Sequence, residues 1–346
     1  MPSDPIHILR GAGISNPLRV ARLIHDTVKT LKLDLRGLTV LTEAASGPFV
    51  VTPVIAAAAG AERIIALTRN SGYASVVDVI TQTRGMASIC GVGKNIEIHS
   101  RRAGHFFNAA DIVTNLGFVR PLDRKTISNM RSGSVISLMC EAWELRSDDI
   151  DITACRAQNV RVVATNESTP SLNIFAYSGW LCIKLLLGAG IEVNRDRILI
   201  VSSDKFGITI QKLLARAGVQ CTLTHRLSLA QAKHADAIVV ADYSRNNQII
   251  GNAGDVKSSD LAAVAPSVTV VQFAGQVDVI DLKRRGIAVY PGIDLPHRRM
   301  ALTLGGLGAR PVIELHAAGL KVGQLALEAA RRKKKSPFKT LSQPVA

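Results

Sequence analysis

Residues 38–71 read LTVLTEAASGPFVVTPVIAAAAGAERIIALTRNS. An apolar run (38–42), a loop of small residues, an Ala- and Val-rich stretch closed by Gly60, and a second apolar run (63–67) spell strand, loop, helix, strand. Neither run alternates with polar residues, as expected of strands buried on both faces of a parallel sheet. The second run ends in Thr68, Arg69, Asn70 and Ser71, a basic, hydroxyl-bearing loop.

The same rhythm returns in the second half of the chain. Residues 37–69 match DRILIVSSDKFGITIQKLLARAGVQCTLTHR (196–226), each with a helix that ends in Ala-Gly and a strand that closes on a basic residue. AADIVTNLG (109–117) then matches HADAIVVAD (234–242), ISNMRSGSVISLMCEA (127–142) matches DLAAVAPSVTVVQFAG (260–275), and residues 149–167 match residues 276–292. The first copy carries an extra helix and strand in residues 71–100. The expected fold class is therefore α/β, two doubly wound parallel-sheet domains related by an internal repeat. Two long helical patterns lie outside both copies, in residues 168–190, with Pro170 near their start, and 309–332, with Pro311 near theirs. The expected division is a first domain over 1–167 with an N-terminal helix entered at Asn16 and Pro17. A linker helix over 168–194, a second domain over 195–308, a helix over 309–332 returning to the first domain, and a basic flexible tail over 333–346 follow.

Composition narrows the function classes. The chain has 346 residues, 47% hydrophobic and 20% charged, which is ordinary for a globular protein able to bury two cores. No apolar run reaches the length of a membrane span and MPSDPIHILRG has no hydrophobic leader core, so a cytoplasmic protein with no membrane partner is expected. The five cysteines are unpatterned, which argues against a disulfide framework and a zinc site; Cys140 alone falls at a strand end. Much of the net charge of +15 sits in the tail ARRKKKSPFK, which reads as a solvated terminus and not as a nucleic-acid reader. The remaining positive excess suits a small anionic metabolite.

DIDITACRAQNVRVVATNESTPSLNIFAYSGWLCIKLLL, TVVQFAGQVD and GIAVYPGIDLPH together resemble the passage from the end of the substrate domain into the linker helix, the strand-loop and the Pro-His ending of the formate/glycerate dehydrogenase-like D-2-hydroxy-acid dehydrogenases. The resemblance covers about half the chain. It implies two Rossmann-like domains joined by long helices, a homodimer formed through those helices, and a nicotinamide cofactor, NADP or NAD. It also implies a catalytic histidine, His297. The family's substrate-binding arginine has no counterpart in Phe273-Ala274-Gly275-Gln276, and the glycine fingerprint of the second domain falls on Ser202, Asp204 and Gly207. Only the third position keeps its glycine, and Asp204 puts negative charge where a pyrophosphate must approach.

In the first domain the fingerprint falls on Ala44 and Ser46, with Gly47 adjacent, small residues that allow close phosphate approach; Ser46 and Thr52 add hydroxyl donors. Arg69 with Ser71 suits a 2′-phosphate better than the acidic residue of an NAD site, and Glu43 is the discordant carboxylate. The same loop also reads as a tight turn into the helix with no ligand at all. Ligands of doubly wound sheets bind beyond the carboxyl ends of the strands, so the strand-end loops of both domains are expected to line a cleft. His297 is the candidate acid/base, Glu141 and Glu167 are candidates to orient it or to act as bases, and Lys205, Arg298 and Arg299 are candidates to hold an anionic substrate. No metal-ligand spacing appears. The expected function is an NADP-dependent or NAD-dependent oxidoreductase of a small anionic hydroxy, keto or imino acid, its cofactor held by the first-domain loop or by the second-domain loop at Ser202 and Gly207. An S-adenosylmethionine-using transferase and a non-catalytic, repurposed protein are the alternatives.

Overall fold

The computed structural model describes residues 4–170, 172–332 and 341–345. The chain divides into two compact units, one formed by residues 1–174 with 308–346 and the other by 175–307. Unit 1 begins with helices α1 (Pro5–Gly11) and α2 (Pro17–Thr30). The side chain of Asn16 accepts from the Arg19 amide at 2.9 Å and Pro17 fills the first turn of α2, where no amide is needed. Then follow β1 (Thr39–Glu43), α3 (Val51–Ala58), β2 (Arg63–Leu67), α4 (Val76–Ile89), β3 (Ile96–His99) and α5 (Gly104–Ala109). The unit continues with β4 (Ile112–Thr114), α6 (Arg124–Ile127), β5 (Val135–Leu138), α7 (Ile152–Ala157) and β6 (Arg161–Thr165).

Unit 2 runs through α8 (Tyr177–Gly188), β7 (Arg197–Val201), α9 (Lys205–Arg216), β8 (Gln220–Thr224), α10 (Leu229–Ala232) and β9 (Ala237–Ala241). It ends with α11 (Ser258–Val264), β10 (Thr269–Ala274), α12 (Val279–Arg284) and β11 (Ala288–Tyr290). The chain then returns to unit 1 through α13 (Ala309–Arg332) and β12 (Ser342–Pro344).

Among the described residues, the unit 1 sheet has the order β3-β2-β1-β4-β5-β6-β12, parallel throughout except for β12, which pairs antiparallel with β6. This 3-2-1-4-5-6 order is the dinucleotide-binding form of the doubly wound sheet. Unit 2 has the order β8-β7-β9-β10-β11, all parallel, the 2-1-3-4-5 form. Strand for strand, the order β2-β1-β4-β5-β6 of unit 1 and the order of unit 2 coincide, and the extra strand β3 comes from residues 71–100. Both units are Rossmann-like.

The strands are buried because helices cover both faces. On one side of the unit 1 sheet, Leu41, Leu67, Val113, Ile136 and Val162 pack with Phe106 and Phe107 of α5, Ile127 of α6 and Cys155 of α7. Helix α13 packs against β4, β5 and β6 as well as α2 and α3. Gly323 permits its close approach, since a Cβ there would lie 3.0 Å from Ile112 Cγ2. In the tail, residues 342–344 correct the expectation of a flexible segment: their backbone pairs with residues 163–165 as an edge strand. Residues 333–340 of that tail lie outside the described residues. Within 168–194, residues 168–174 belong to unit 1, whereas α8 packs on α9 and β10 of unit 2.

Gly207 sets the spacing between α9 and the unit 2 sheet. A Cβ there would collide with Ser202 Cβ and lie 2.8 Å from Leu223 Cδ1. Gly207→Ala should lower the urea midpoint despite its better helix propensity, by about 1–3 kcal/mol of overpacking, because Ser202 sits on the strand end and cannot rotate away.

Candidate functional site

In a doubly wound sheet the ligand crevice opens where the strand order reverses, at the carboxyl ends of the strands. In unit 1 that point lies between β1 and β4. Glu43 ends β1, and Gly117 and Phe118 turn the chain after β4. The Phe118 amide donates to Glu43 Oε2 at 3.0 Å. Gly117 lies so close that a Cβ there would be 3.5 Å from the same oxygen. Glu43 is buried, and burial pushes its carboxyl above the usual range against the opposing pull of the Phe118 amide, the Arg120 charge and the Gly117 amide. Arg120 is itself held by Asp149 at 2.6 Å, beside Arg146. A carboxyl group of the chain thus occupies the crevice.

The loop after β1 is tightly committed. The Ala44 amide donates to Leu67 O at 2.9 Å, which extends the β1–β2 ladder. Gly47 adopts φ +58° and donates its amide to Gln82 Oε1 at 3.1 Å. Pro48 has no amide to offer, and half-buried Ser46 accepts from Phe49 through its carbonyl. Thr52 corrects the expectation of a phosphate-facing hydroxyl: it is buried in α3 and bonded to His316 Nδ1 of α13 at 2.6 Å. After β2, Arg69 lies with its guanidinium 5.5 Å from the Phe118 ring centre, on the rim of the Glu43 crevice. Ser71 is turned instead into a local, exposed turn, where its hydroxyl accepts from Tyr73 at 3.2 Å.

Glu141 and Glu167 sit buried at the carboxyl ends of β5 and β6. Glu141 Oε2 accepts from Trp143 Nε1 at 2.7 Å, and its amide donates to Glu144 Oε1 at 3.0 Å. Burial, with the charges of Glu144 and Glu167, pushes the neighbouring Cys140 thiol well above its usual range, so it stays protonated.

Unit 2 repeats the arrangement with two carboxylates. Asp204, the N-cap of α9, bonds the Phe206 amide at 2.9 Å through one oxygen and the Tyr243 amide at 2.7 Å through the other. Asp242, after β9, accepts from the Ser203 amide at 2.9 Å and from its hydroxyl at 2.8 Å. Each carboxylate therefore crosses the β7–β9 switch point to bond the opposite loop. Burial and the Asp242 charge raise the Asp204 carboxyl above its usual range, while the amides pull it back. Ser202 is buried, its hydroxyl accepting from the Gly207 amide at 3.2 Å.

The basic candidates of unit 2 surround an aromatic cluster. Phe206 lies between Phe175 and Phe273, with ring centres 4.8 and 5.2 Å away. Lys205 Nζ stands 4.2 Å from the Phe175 ring centre and Arg298 5.6 Å from that of Tyr243. The Ala301 amide donates to Phe273 O at 2.9 Å, which returns the 297–301 segment to the end of β10. His297 and Arg299 are exposed on this segment. The switch-point partner Phe118 was not among the sequence candidates, and Asp242 was expected only as part of a strand-end loop lining the cleft. The match of 109–117 with 234–242 contains the signal for one of them, since Asp242 stands opposite Gly117 at a strand end.

No family model and no curated protein matches the chain. Among solved structures, a dipicolinate synthase from Bacillus subtilis is similar at a TM-score of 0.53 and 12% identity, over 86% of this chain and 99% of that one. The dipicolinate synthase from Bacillus halodurans gives 0.51 and 12%, over 85% and 99%. A putative D-3-phosphoglycerate dehydrogenase from Ralstonia solanacearum gives 0.46 and 14%, over 70% and 89%. The chain shares the fold of these two dipicolinate synthase subunits. The likeness is one of fold. Among the described residues no group of three or more metal-ligating side chains occurs, and no helix is long and apolar enough to cross a membrane.

The buried His316 predicts a pH dependence. Burial pushes its pKa down from 6.5 to about 4, so the folded state holds it neutral where the unfolded chain takes up a proton. Its contribution is fully present above pH 6.5 and is lost as the pH falls toward 4, by up to roughly 3 kcal/mol. Urea unfolding at pH 7 and pH 4.5 should show this loss, and His316→Asn should flatten it.

Proposed function

We propose that the chain is an oxidoreductase that uses NADP, bound on unit 1, to act on a small anionic hydroxy, keto or imino acid. The observation that carries this reading is Arg69 at the carboxyl end of β2, in a sheet of the dinucleotide-binding order. A site for NAD places an acidic residue at that point to take the ribose 2′-hydroxyl, whereas an arginine accommodates a 2′-phosphate. Ser46 and the small Ala44–Gly47 loop would lie against the phosphates, and Arg69 would hold the 2′-phosphate, with Ser71 beside it in sequence. The nicotinamide would supply the hydride acceptor or donor. In both units strand-end amides already have internal partners, Ala44 and Gly47 in unit 1 and Ser203 and Phe206 in unit 2, so Arg69 is the feature that favours unit 1. In unit 2 the basic groups Lys205, Arg298 and Arg299 support an anionic substrate, with His297 as acid/base and Glu141 and Glu167 as the carboxylates of this reading in unit 1. The fold shared with the dipicolinate synthases supports a carboxylate as the substrate class.

One observation favours a second reading. Internal carboxylates hold strand-end amides at both switch points, as a repurposed protein that binds no dinucleotide would have them. Thermal-shift titration with NADPH, NADH and S-adenosylmethionine separates the readings. Stabilisation by NADPH in preference to NADH supports the first, by about 2.7 kcal/mol at a hundredfold excess over Kd. Stabilisation by S-adenosylmethionine alone would indicate a transferase, and no shift with any of the three would leave the repurposed reading. With an NADPH-dependent activity in hand, His297→Ala should reduce kcat at least a hundredfold if His297 moves the proton.

A further inference from the structure

We infer that residues 341–345 act as a positioning strap for the two strand-end loops that carry Glu141 and Glu167, and that Gln343 is the residue through which the strap sets the Glu141 loop. Strand β12 adds only three paired residues to the outer edge of β6, and it runs antiparallel to a sheet that is otherwise parallel. Its contacts reach beyond that ladder. The Asn166 amide, one residue before Glu167, donates to Leu341 O at 2.8 Å. The Ala142 amide, one residue after Glu141, donates to Gln343 Oε1 at 2.8 Å. Leu341 and Gln343 thus hold the loops after β6 and β5 from a single short segment.

The Ala142 amide has a physical need for this partner. It opens the short 3-10 turn Ala142–Glu144, and the first amides of such a turn find no carbonyl within it. The Glu141 side chain serves the Glu144 amide, and Glu144 Oε1 takes the Glu141 amide at 3.0 Å. The Ala142 amide is served from 201 residues away. Glu141 is only 1% exposed, and its two oxygens accept from Trp143 Nε1 at 2.7 Å and, more weakly, from Ser168 Oγ at 3.4 Å. Ser168 follows Glu167, so the loops held by Gln343 and Leu341 meet at the Glu141 carboxyl. The Thr165 amide adds a further tie by donating to Cys140 O at 3.0 Å. The six parallel strands are complete without β12, and Val345 packs against their core only partly buried. Loss of the Gln343 bond therefore frees the loop while the sheet stays folded. The part of the strap in a reaction rests on the reading of Glu141 and Glu167 as site carboxylates, whereas its hold on the loops does not.

The test reads the indole N–H of Trp143 in the full chain by nuclear magnetic resonance. Trp143 is one of two tryptophans, and Trp180→Phe identifies its signal. Gln343→Met keeps the length of the side chain and removes the acceptor. It should raise the hydrogen-exchange rate of the Trp143 indole about 5- to 10-fold, as expected for the loss of one hydrogen bond, and move the urea midpoint by less than about 0.5 M. Gln343→Glu, which retains acceptor oxygens, should keep that rate within about twofold of the wild type. Unchanged exchange in Gln343→Met would overturn the strap. An equal rise in Gln343→Met and Gln343→Glu, or a rise that only follows a lower urea midpoint, would overturn the role of the Gln343 oxygen. With an activity in hand, Gln343→Met should also lower kcat with little change in KM. If exchange rises and kcat is unchanged, the strap stands and the reading of Glu141 as a site carboxylate falls.

Discussion

The carboxyl edge of a parallel sheet is a place where backbone amides converge with too few carbonyls to meet them. Strands end together, helices begin, and the resulting N–H groups and helix dipoles call for negative charge. Here the chain supplies that charge itself. Glu43 takes the Phe118 amide across the unit 1 switch point, while Asp204 and Asp242 exchange amides across that of unit 2. A hydrogen bond to a charged group is worth about 1.5–3 kcal/mol, and a buried amide left without one costs a comparable amount. These contacts therefore fix the loops from which any site must be built.

The two units answer this constraint differently. In unit 2 two carboxylates lock both loops, and the serine beside them is turned inward to the first turn of α9. Repulsion between Asp204 and Asp242 is tolerated because each accepts from amides of the opposite loop. In unit 1 a single buried carboxyl sits in the crevice, with the charge of Arg120 acting on it and Arg69 over the Phe118 ring beside it. The two sheets, of closely related order, thus differ in the number of carboxylates at their switch points.

Several levels of the fold were legible in the residues. Continuous apolar runs identified parallel strands, and Asn16 with Pro17 marked the start of α2 because capping is a local transaction between neighbours. Pairing the halves of the chain isolated residues 71–100 as an extra helix and strand, the source of β3, while the order of the strands in each sheet came from the structure. The candidate site was less legible. Thr52 reads as a phosphate donor from its place after a glycine loop, yet one turn of helix points it at His316, 264 residues away. The basic tail reads as solvated, yet its end pairs with β6 because an edge strand offers unpaired backbone groups to any nearby segment.

The sequence by itself determined the element types, their order and the position of each polar residue at a strand end. These depend on periodicity and on caps a few residues apart. Only the tertiary structure decided which polar residues meet. Glu43 and Phe118 are 75 residues apart, Asp204 and Tyr243 39, and each pair is brought together by a strand crossover and not by any local spacing. A carboxylate at a strand end looks the same in sequence whether it faces a ligand or replaces one. Its role depends on which amides the neighbouring strand brings within reach.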